Sequence, residues 1–95
     1  MIRRGKPDDQ GSVRVTFSVP DDGTALSVVG SFNEWDPLRH PLKRRANGTR
    51  SVAVDLEEGR EIYFRYLLDG GQFEDEADAE VVVSGGGHTE CRLVV

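Results

Sequence analysis

The stretch Val28–Asp36, with the sequence Val-Val-Gly-Ser-Phe-Asn-Glu-Trp-Asp, decides the fold that we predict for this chain. It begins with β-branched residues, which are typical of a strand. Gly30 then ends the strand, and a glycine at such a point marks a bend or a close approach of two backbones. The one tryptophan of the chain, Trp35, follows between two acidic residues. These polar neighbours predict a loop that holds Trp35 with at least one face near water, where a flat aromatic ring can bind an apolar surface.

Alternation of apolar and polar residues on both sides of this stretch predicts further strands. Segments 12–19, 51–56 and 62–68 carry an apolar side chain at every second position, which is the period of a half-buried strand. Asn47-Gly48 is a strong hairpin signal, because both residues tolerate positive φ. Short strands separated by turn residues, without a helical period, indicate an all-β fold of the β-sandwich type. The predicted core consists of Val13, Val15, Phe17, Val28, Val52, Val54, Phe64, Tyr66 and Leu93.

Length and hydropathy indicate one small domain. Residues 1–11 are charged and rich in turn formers, so we predict a flexible N-terminal tail followed by a single domain over residues 12–95. Ninety-five residues suffice for one core. No run approaches the roughly 20 apolar residues that span a bilayer, and the N-terminal residues lack the apolar segment of a signal peptide. We therefore expect a cytoplasmic location and no membrane partner.

Charge is divided unevenly along the chain. Residues 1–50 carry nine Lys/Arg and six Asp/Glu, a net charge of +3, whereas residues 51–95 carry three and eleven, a net charge of −8. The overall charge of −5 argues against nucleic acid as a partner, because binding to phosphates needs clustered basic charge. The single cysteine, Cys91, excludes an intrachain disulfide and is expected to be a small strand residue.

Several motifs in order resemble carbohydrate-binding module family 48. The matching segments are Gly30–Trp35, Pro41-Leu42, Leu56–Gly59, Ile62–Tyr66 and Leu68–Phe73. This family, of the isoamylase N-terminal type, includes the glycogen-binding domain of the AMP-activated protein kinase β subunit. The resemblance covers nearly the whole chain and implies an immunoglobulin-like, early-set β-sandwich. It also implies a non-catalytic module that binds α-glucan of the glycogen or starch type, such as a maltooligosaccharide.

Sugar recognition needs an aromatic ring for the apolar face of a pyranose and polar side chains for its hydroxyls. Trp35, Arg65 and Phe73 provide this combination. The resemblance implies that Trp35 is the first stacking residue, that Arg65 bonds sugar hydroxyls, and that Phe73 replaces a second tryptophan. By spacing, His88 and Glu90 occupy two places of the family's C-terminal binding loop, and both join the predicted carbohydrate site.

Each of these residues also has a purely structural interpretation. Trp35 would then pack on its own loop, Arg65 would be an ordinary outward strand residue, and Phe73 would belong to the core. The corresponding functional alternative is a protein-interaction or regulatory module of the same fold without sugar affinity, whose partner would be a glucan-active enzyme or another protein.

Catalytic motifs do not occur in the sequence. It contains no His-Glu-x-x-His, Cys-x-x-Cys or Gly-x-Ser-x-Gly pattern. The acidic residues between positions 74 and 80 lack the ligand spacing of an EF-hand, so we predict a solvated acidic loop there. The chain is therefore expected to be neither an enzyme nor a cofactor- or metal-binding protein.

Overall fold

A computed structural model of the chain describes residues 1–83 and 85–95, and these form strands and turns. The strands are β1 (Ile2–Arg4), β2 (Ser12–Pro20), β3 (Leu26–Gly30), β4 (Lys43–Arg44), β5 (Thr49–Glu57), β6 (Glu61–Leu68), β7 (Phe73–Glu74), β8 (Glu80–Val83) and β9 (Thr89–Val94). Within these described residues, no helix is long and apolar enough to cross a membrane.

Two antiparallel sheets form the sandwich, which confirms the predicted all-β, immunoglobulin-like class. The first sheet has the strand order β1-β2-β5-β4, and the second has the order β3-β6-β9-β8, with β7 also paired to β6. The long β2–β5 ladder runs from Ser12↔Glu57 to Pro20↔Thr49. The Asn47-Gly48 turn joins β4 to β5, as predicted, and Gly48 has a φ of 82°.

The core lies between the inner faces of the two sheets. Phe17 from the first sheet meets Phe64 from the second in an edge-on contact with ring centroids 5.0 Å apart, and Phe64 contacts Tyr66 in the same manner. Seven of the nine predicted core residues are buried, and the other two, Val52 and Leu93, pack against the core while keeping some contact with solvent. Alternation therefore identified the inward faces correctly.

Residues 2–4 correct the prediction of a flexible tail over residues 1–11. They form β1, which pairs antiparallel with β2 through Ile2↔Phe17 to Arg4↔Val15. Ile2 packs against the core, and Arg4 donates a hydrogen bond from Nη1 to the carbonyl oxygen of Val94 at 2.7 Å. The free edge of β2 explains the difference, because a strand edge offers unpaired backbone groups to any segment that can lie beside it.

Glu76 corrects the prediction of a solvated acidic loop. Its side chain is buried, with the residue 3% exposed. The carboxylate accepts hydrogen bonds from the Tyr66 hydroxyl at 2.8 Å, the Met1 ammonium at 2.5 Å and the backbone N–H of Asp78 at 2.8 Å. Burial raises the pKa of Glu76, but these three hydrogen bonds outweigh it and hold the pKa below its usual value. A charge in this position is tolerated because it is paired and fully hydrogen-bonded.

Candidate functional site

The Trp35 loop, residues 31–41, follows β3 and turns sharply. Glu34 and Trp35 have φ angles of 59° and 57°, a left-handed conformation that costs a residue other than glycine about 1–2 kcal/mol. The carbonyl oxygen of Gly30 accepts hydrogen bonds from the N–H groups of Asn33 and Trp35, at 3.1 and 2.9 Å. Trp35 emerges from this turn 38% exposed. Trp35 is thus partly accessible to solvent, on a backbone whose conformation is unfavourable for a residue other than glycine.

Asn33 is the buried anchor of the Trp35 loop, with no exposed surface. Its Oδ1 accepts a hydrogen bond from the N–H of Gly30 at 2.9 Å, and its Nδ2 donates to the carbonyl oxygen of Val28 at 3.0 Å. Nδ2 also lies 2.9 Å from Nδ1 of His40, so His40 accepts this bond in its neutral form. Burial, with a smaller effect of the Arg39 charge, lowers the pKa of His40 below 6.5 and keeps the imidazole neutral at pH 7.

The Trp35 loop is fastened directly to β6. The N–H of Ser31 donates to the carbonyl oxygen of Tyr63 at 2.9 Å, and the Ser31 hydroxyl accepts from the N–H of Tyr63 at 3.1 Å. Gly30 lets the two segments approach this closely, because a Cβ there would lie only 2.9 Å from Cβ of Phe64. The Trp35 loop is thus anchored two residues from Arg65.

Arg65 and Phe73 contact one another on the outer side of the second sheet. Cζ of Arg65 lies over the Phe73 ring, 4.8 Å from its centroid, within the range of a cation–π interaction. Nε of Arg65 donates to Oδ1 of Asp75 at 3.0 Å, and the Arg65 side chain is 19% exposed. Phe73 is 48% exposed, so it does not belong to the core, and Arg65 is a partnered residue rather than an ordinary outward one.

The two predicted residues near the C-terminus lie on β9 and directly before it. His88 is exposed in the turn between β8 and β9, and Glu90 is half-buried in β9. Among the described residues, the ion pair of Arg65 is made with Asp75 and not with Glu90. Asp75 also accepts a hydrogen bond from the hydroxyl of Thr89 at 3.2 Å, so Thr89 is a β9 residue that contacts the site.

Sequence reasoning missed Asp75, Thr89 and Asn33. Asp75 stands two positions after Phe73, a spacing that places two side chains on the same face of a strand, and that signal was available. Thr89 carried no such signal, since its role depends on how β9 meets the acidic segment. Asn33 lies within the motif around Trp35, but nothing in its polar surroundings distinguishes a buried amide from an exposed one.

No family model matches the chain. Its sequence is 37% identical over 75 residues, 75% of this chain, to a 1,4-alpha-glucan branching enzyme GlgB of Novosphingobium aromaticivorans. It is 41% identical over 51 residues, 53% of this chain, to the corresponding enzyme of Photobacterium profundum. An amylopullulanase of Thermoanaerobacter thermohydrosulfuricus is 28% identical over 93 residues, 81% of this chain. The chain spans only 10%, 7% and 6% of the lengths of these three relatives. By fold and sequence, the protein is thus a small immunoglobulin-like β-sandwich similar to one part of much larger enzymes.

Proposed function

We propose that this chain is a non-catalytic α-glucan-binding module of the family 48 type. The observation that carries the proposal is the pair of exposed aromatic side chains, Trp35 and Phe73, on two segments attached to β6, with Arg65 in contact with Phe73. The similarity to part of enzymes named for 1,4-α-glucan supports this ligand class over other sugars.

Trp35 is the principal stacking residue in this proposal. A glucose ring presents an apolar face of C–H groups, and an exposed indole offers it a flat apolar partner. The left-handed backbone at Glu34 and Trp35 and the buried amide of Asn33 support the role, since backbone strain of this kind clusters at ligand-binding sites. Phe73 provides a second, smaller ring, which is exposed to solvent beside Arg65.

Arg65 contributes the polar part of the contact. Its Nε is engaged by Asp75, and its two terminal Nη nitrogens are donors suited to sugar hydroxyls. An open surface of this kind buries little of a ligand compared with a cleft, so we expect weak binding, with a Kd of roughly 10 μM to 1 mM.

The proposed module has no hydrolytic role. Glycoside hydrolysis requires two placed carboxyl groups about 5–9.5 Å apart on either side of the scissile bond. The buried carboxylate, Glu76, is instead engaged by Tyr66, Met1 and Asp78. We expect no release of reducing sugar from starch or glycogen above a blank through successive purification steps.

Titration with maltoheptaose, followed by Trp35 fluorescence, tests the proposal. We expect a saturable shift with maltoheptaose and none with a β-linked glucan of similar length. Trp35→Ala, followed by retention on insoluble glycogen, should abolish detectable binding without changing the melting temperature. A folded parent protein that responds to no α-glucan at millimolar concentration would overturn the proposed function.

A second candidate function is a protein-interaction module without sugar affinity. Val81 and Val83 of the edge strand β8 are 48% and 73% exposed, and exposed apolar residues at an unpaired strand edge favour contact with another protein. Failure of glucan binding in the folded parent would favour this function, and Val83→Lys would then weaken the partner contact while Trp35→Ala would not.

A further inference from the structure

Asp75 joins three strands at the proposed binding surface. Its Oδ1 accepts from Nε of Arg65 on β6 at 3.0 Å, and its Oδ2 accepts from the hydroxyl of Thr89 on β9 at 3.2 Å. The Asp75 side chain directly follows β7 and is 30% exposed. One carboxylate thus connects the cation of the surface to a neighbouring strand.

Arg65 lies at the position of β6 where pairing with β9 ends and pairing with β7 begins. The β6–β9 pairing ends at Phe64↔Cys91, and the β6–β7 pairing begins at Tyr66↔Glu74. Neither ladder includes Arg65, although both registers, extended by one residue, lead to its position. Arg65 therefore stands where the pairing of β6 changes from β9 to β7. Asp75, which directly follows β7, connects the two strands there through its contacts with Arg65 and Thr89.

The two contacts of Arg65 restrict its side chain from different directions. The Phe73 ring contacts the guanidinium group, with Cζ of Arg65 4.8 Å from the ring centroid, and Asp75 accepts a hydrogen bond from its Nε. A long side chain such as arginine loses about 2 kcal/mol of rotamer freedom when it is fixed. Because this restriction exists in the free protein, a ligand that bonds to the Nη nitrogens does not have to order the side chain itself.

The ion pair also changes which ligands Arg65 suits. A free guanidinium binds carboxylates and phosphates strongly, but Asp75 balances this charge. Glu90 adds a second negative charge, because the β6–β9 register, extended by one residue, places it beside Arg65. An anionic ligand would meet like charges, whereas an uncharged ligand with adjacent hydroxyl groups would not. The charge distribution thus favours neutral sugars.

We infer that Asp75 is a positioning residue, which holds Arg65 against Phe73 and makes the surface selective for uncharged over phosphorylated glucans. The inference rests on the proposed α-glucan binding for its ligand. It reaches beyond that proposal because it assigns a role to a residue that touches the sugar only through Arg65.

Binding measurements on matched variants test the inference. Asp75→Ala should weaken maltoheptaose binding about three- to tenfold, the range expected when one side chain must be ordered by the ligand. Glu74→Ala removes the same charge from the adjacent position, which is in register with Tyr66 and faces the other side of the sheet from Arg65, and should leave the affinity within about twofold. Arg65→Ala combined with Asp75→Ala should bind no more weakly than Arg65→Ala alone. Equal effects of Asp75→Ala and Glu74→Ala, or additive effects in the double variant, would overturn the inference.

Two further measurements separate positioning from general support of the fold. The Nε–H signal of Arg65 in a ¹⁵N NMR spectrum of the sugar-free protein should be protected from exchange in the parent and in Glu74→Ala, and lost in Asp75→Ala. Asp75→Asn should improve binding of a phosphorylated maltooligosaccharide relative to maltoheptaose, and an unchanged ratio would contradict the selectivity. If the parent binds no glucan, the proposed function and the selectivity fail together, and the Nε–H signal still decides whether Asp75 positions Arg65.

Discussion

The two segments that carry the exposed aromatic side chains are built in opposite ways. The Trp35 loop is anchored by Asn33, an uncharged amide whose recorded partners all lie between residues 28 and 40. The segment that begins with Phe73 is anchored by Glu76, a buried carboxylate whose partners include Met1 and Tyr66. The Asn33 anchor is therefore local, although Ser31 also fastens the loop to Tyr63 of β6, whereas the Glu76 anchor depends on groups that only the folded chain brings together.

This difference predicts that substitutions at the two anchors have different consequences for the protein. A neutral amide that is satisfied by nearby backbone needs no compensating charge, whereas a buried carboxylate is costly unless its partners are present. We expect changes at the Glu76 anchor to affect the stability of the whole domain, and changes at the Asn33 anchor to affect mainly the position of Trp35.

The largest effect is expected for Glu76→Ala. It leaves the buried hydroxyl of Tyr66 without its acceptor and should lower the free energy of unfolding by about 2–4 kcal/mol, with an unsatisfied buried donor alone costing about 1–3 kcal/mol. Urea denaturation measures the change. The exposed neighbour provides the control, since Glu74→Ala should cost less than about 0.5 kcal/mol; equal losses in both variants would refute the distinct role of Glu76.

Gly30→Ala should displace the Trp35 loop, with a somewhat smaller loss of stability than Glu76→Ala. The added Cβ would lie 2.9 Å from both Cβ of Phe64 and Cε1 of Phe32, and closer still to the carbonyl oxygen of Tyr63. Overpacking of this kind costs about 1–3 kcal/mol, and displacement of the Trp35 loop should shift its fluorescence. Gly85→Ala is the matched control, because a Cβ there meets open space. A Gly30→Ala variant with parental stability and fluorescence would show that the backbones need not approach so closely.

On acidification, the stabilisation by His40 and that by Glu76 should be lost in two different pH ranges. The pKa of His40 is lowered by burial and by the Arg39 charge. As the pH falls, His40 is therefore protonated in the unfolded chain at a higher pH than in the folded protein. The stability from neutral His40 is complete above pH 6.5 and is lost as the pH falls below that value. The pKa of Glu76 is lowered below 4.5 despite its burial, because of its hydrogen bonds. Its contribution is present above about pH 4.5 and is lost at lower pH.

Trp35 fluorescence and urea denaturation between pH 8 and pH 3 measure these two steps. As the pH falls below 6.5, and before Glu76 begins to titrate below pH 4.5, the fluorescence should change in the parent and not in His40→Gln. Below pH 4.5, the difference in stability between the parent and Glu76→Gln should shrink. A single transition shared by all three proteins would contradict the separation.

The smallest expected effect concerns the aromatic rings themselves. Phe73→Trp enlarges the weaker of the two stacking surfaces and should improve maltoheptaose affinity about two- to fourfold, from added apolar contact at about 25 cal/mol per Å². Isothermal titration calorimetry measures this change. Leu38→Trp, at an exposed position in the Trp35 loop, serves as the control. An equal improvement there would indicate unspecific stacking.

Much of the fold could be predicted from the sequence, because a period-two pattern reports directly which strand face is buried. The inward positions of β2, β5 and β6 follow from that pattern, and the exposure of Trp35 follows from its acidic neighbours. Glu76 could not be identified, since it lies in an acidic run without a period, and its partner Met1 stands 75 positions away in the sequence. The strand β1 was missed for a related reason: three residues with two arginines carry little strand signal until the edge of β2 is available to them.

The central place of β6 has a consequence for the rate at which the chain folds. This strand pairs with β3 through Gly30↔Phe64 and with β9 through Glu61↔Val94, so its neighbours lie about thirty residues away on either side. The β2–β5 ladder closes a similar span. Chains dominated by such distant pairings must close long loops before they gain contacts, and they fold in milliseconds to seconds rather than microseconds. We therefore expect stopped-flow refolding to be slow for a domain of this size, and the Asn33-anchored turn to form before the ladder that carries Arg65.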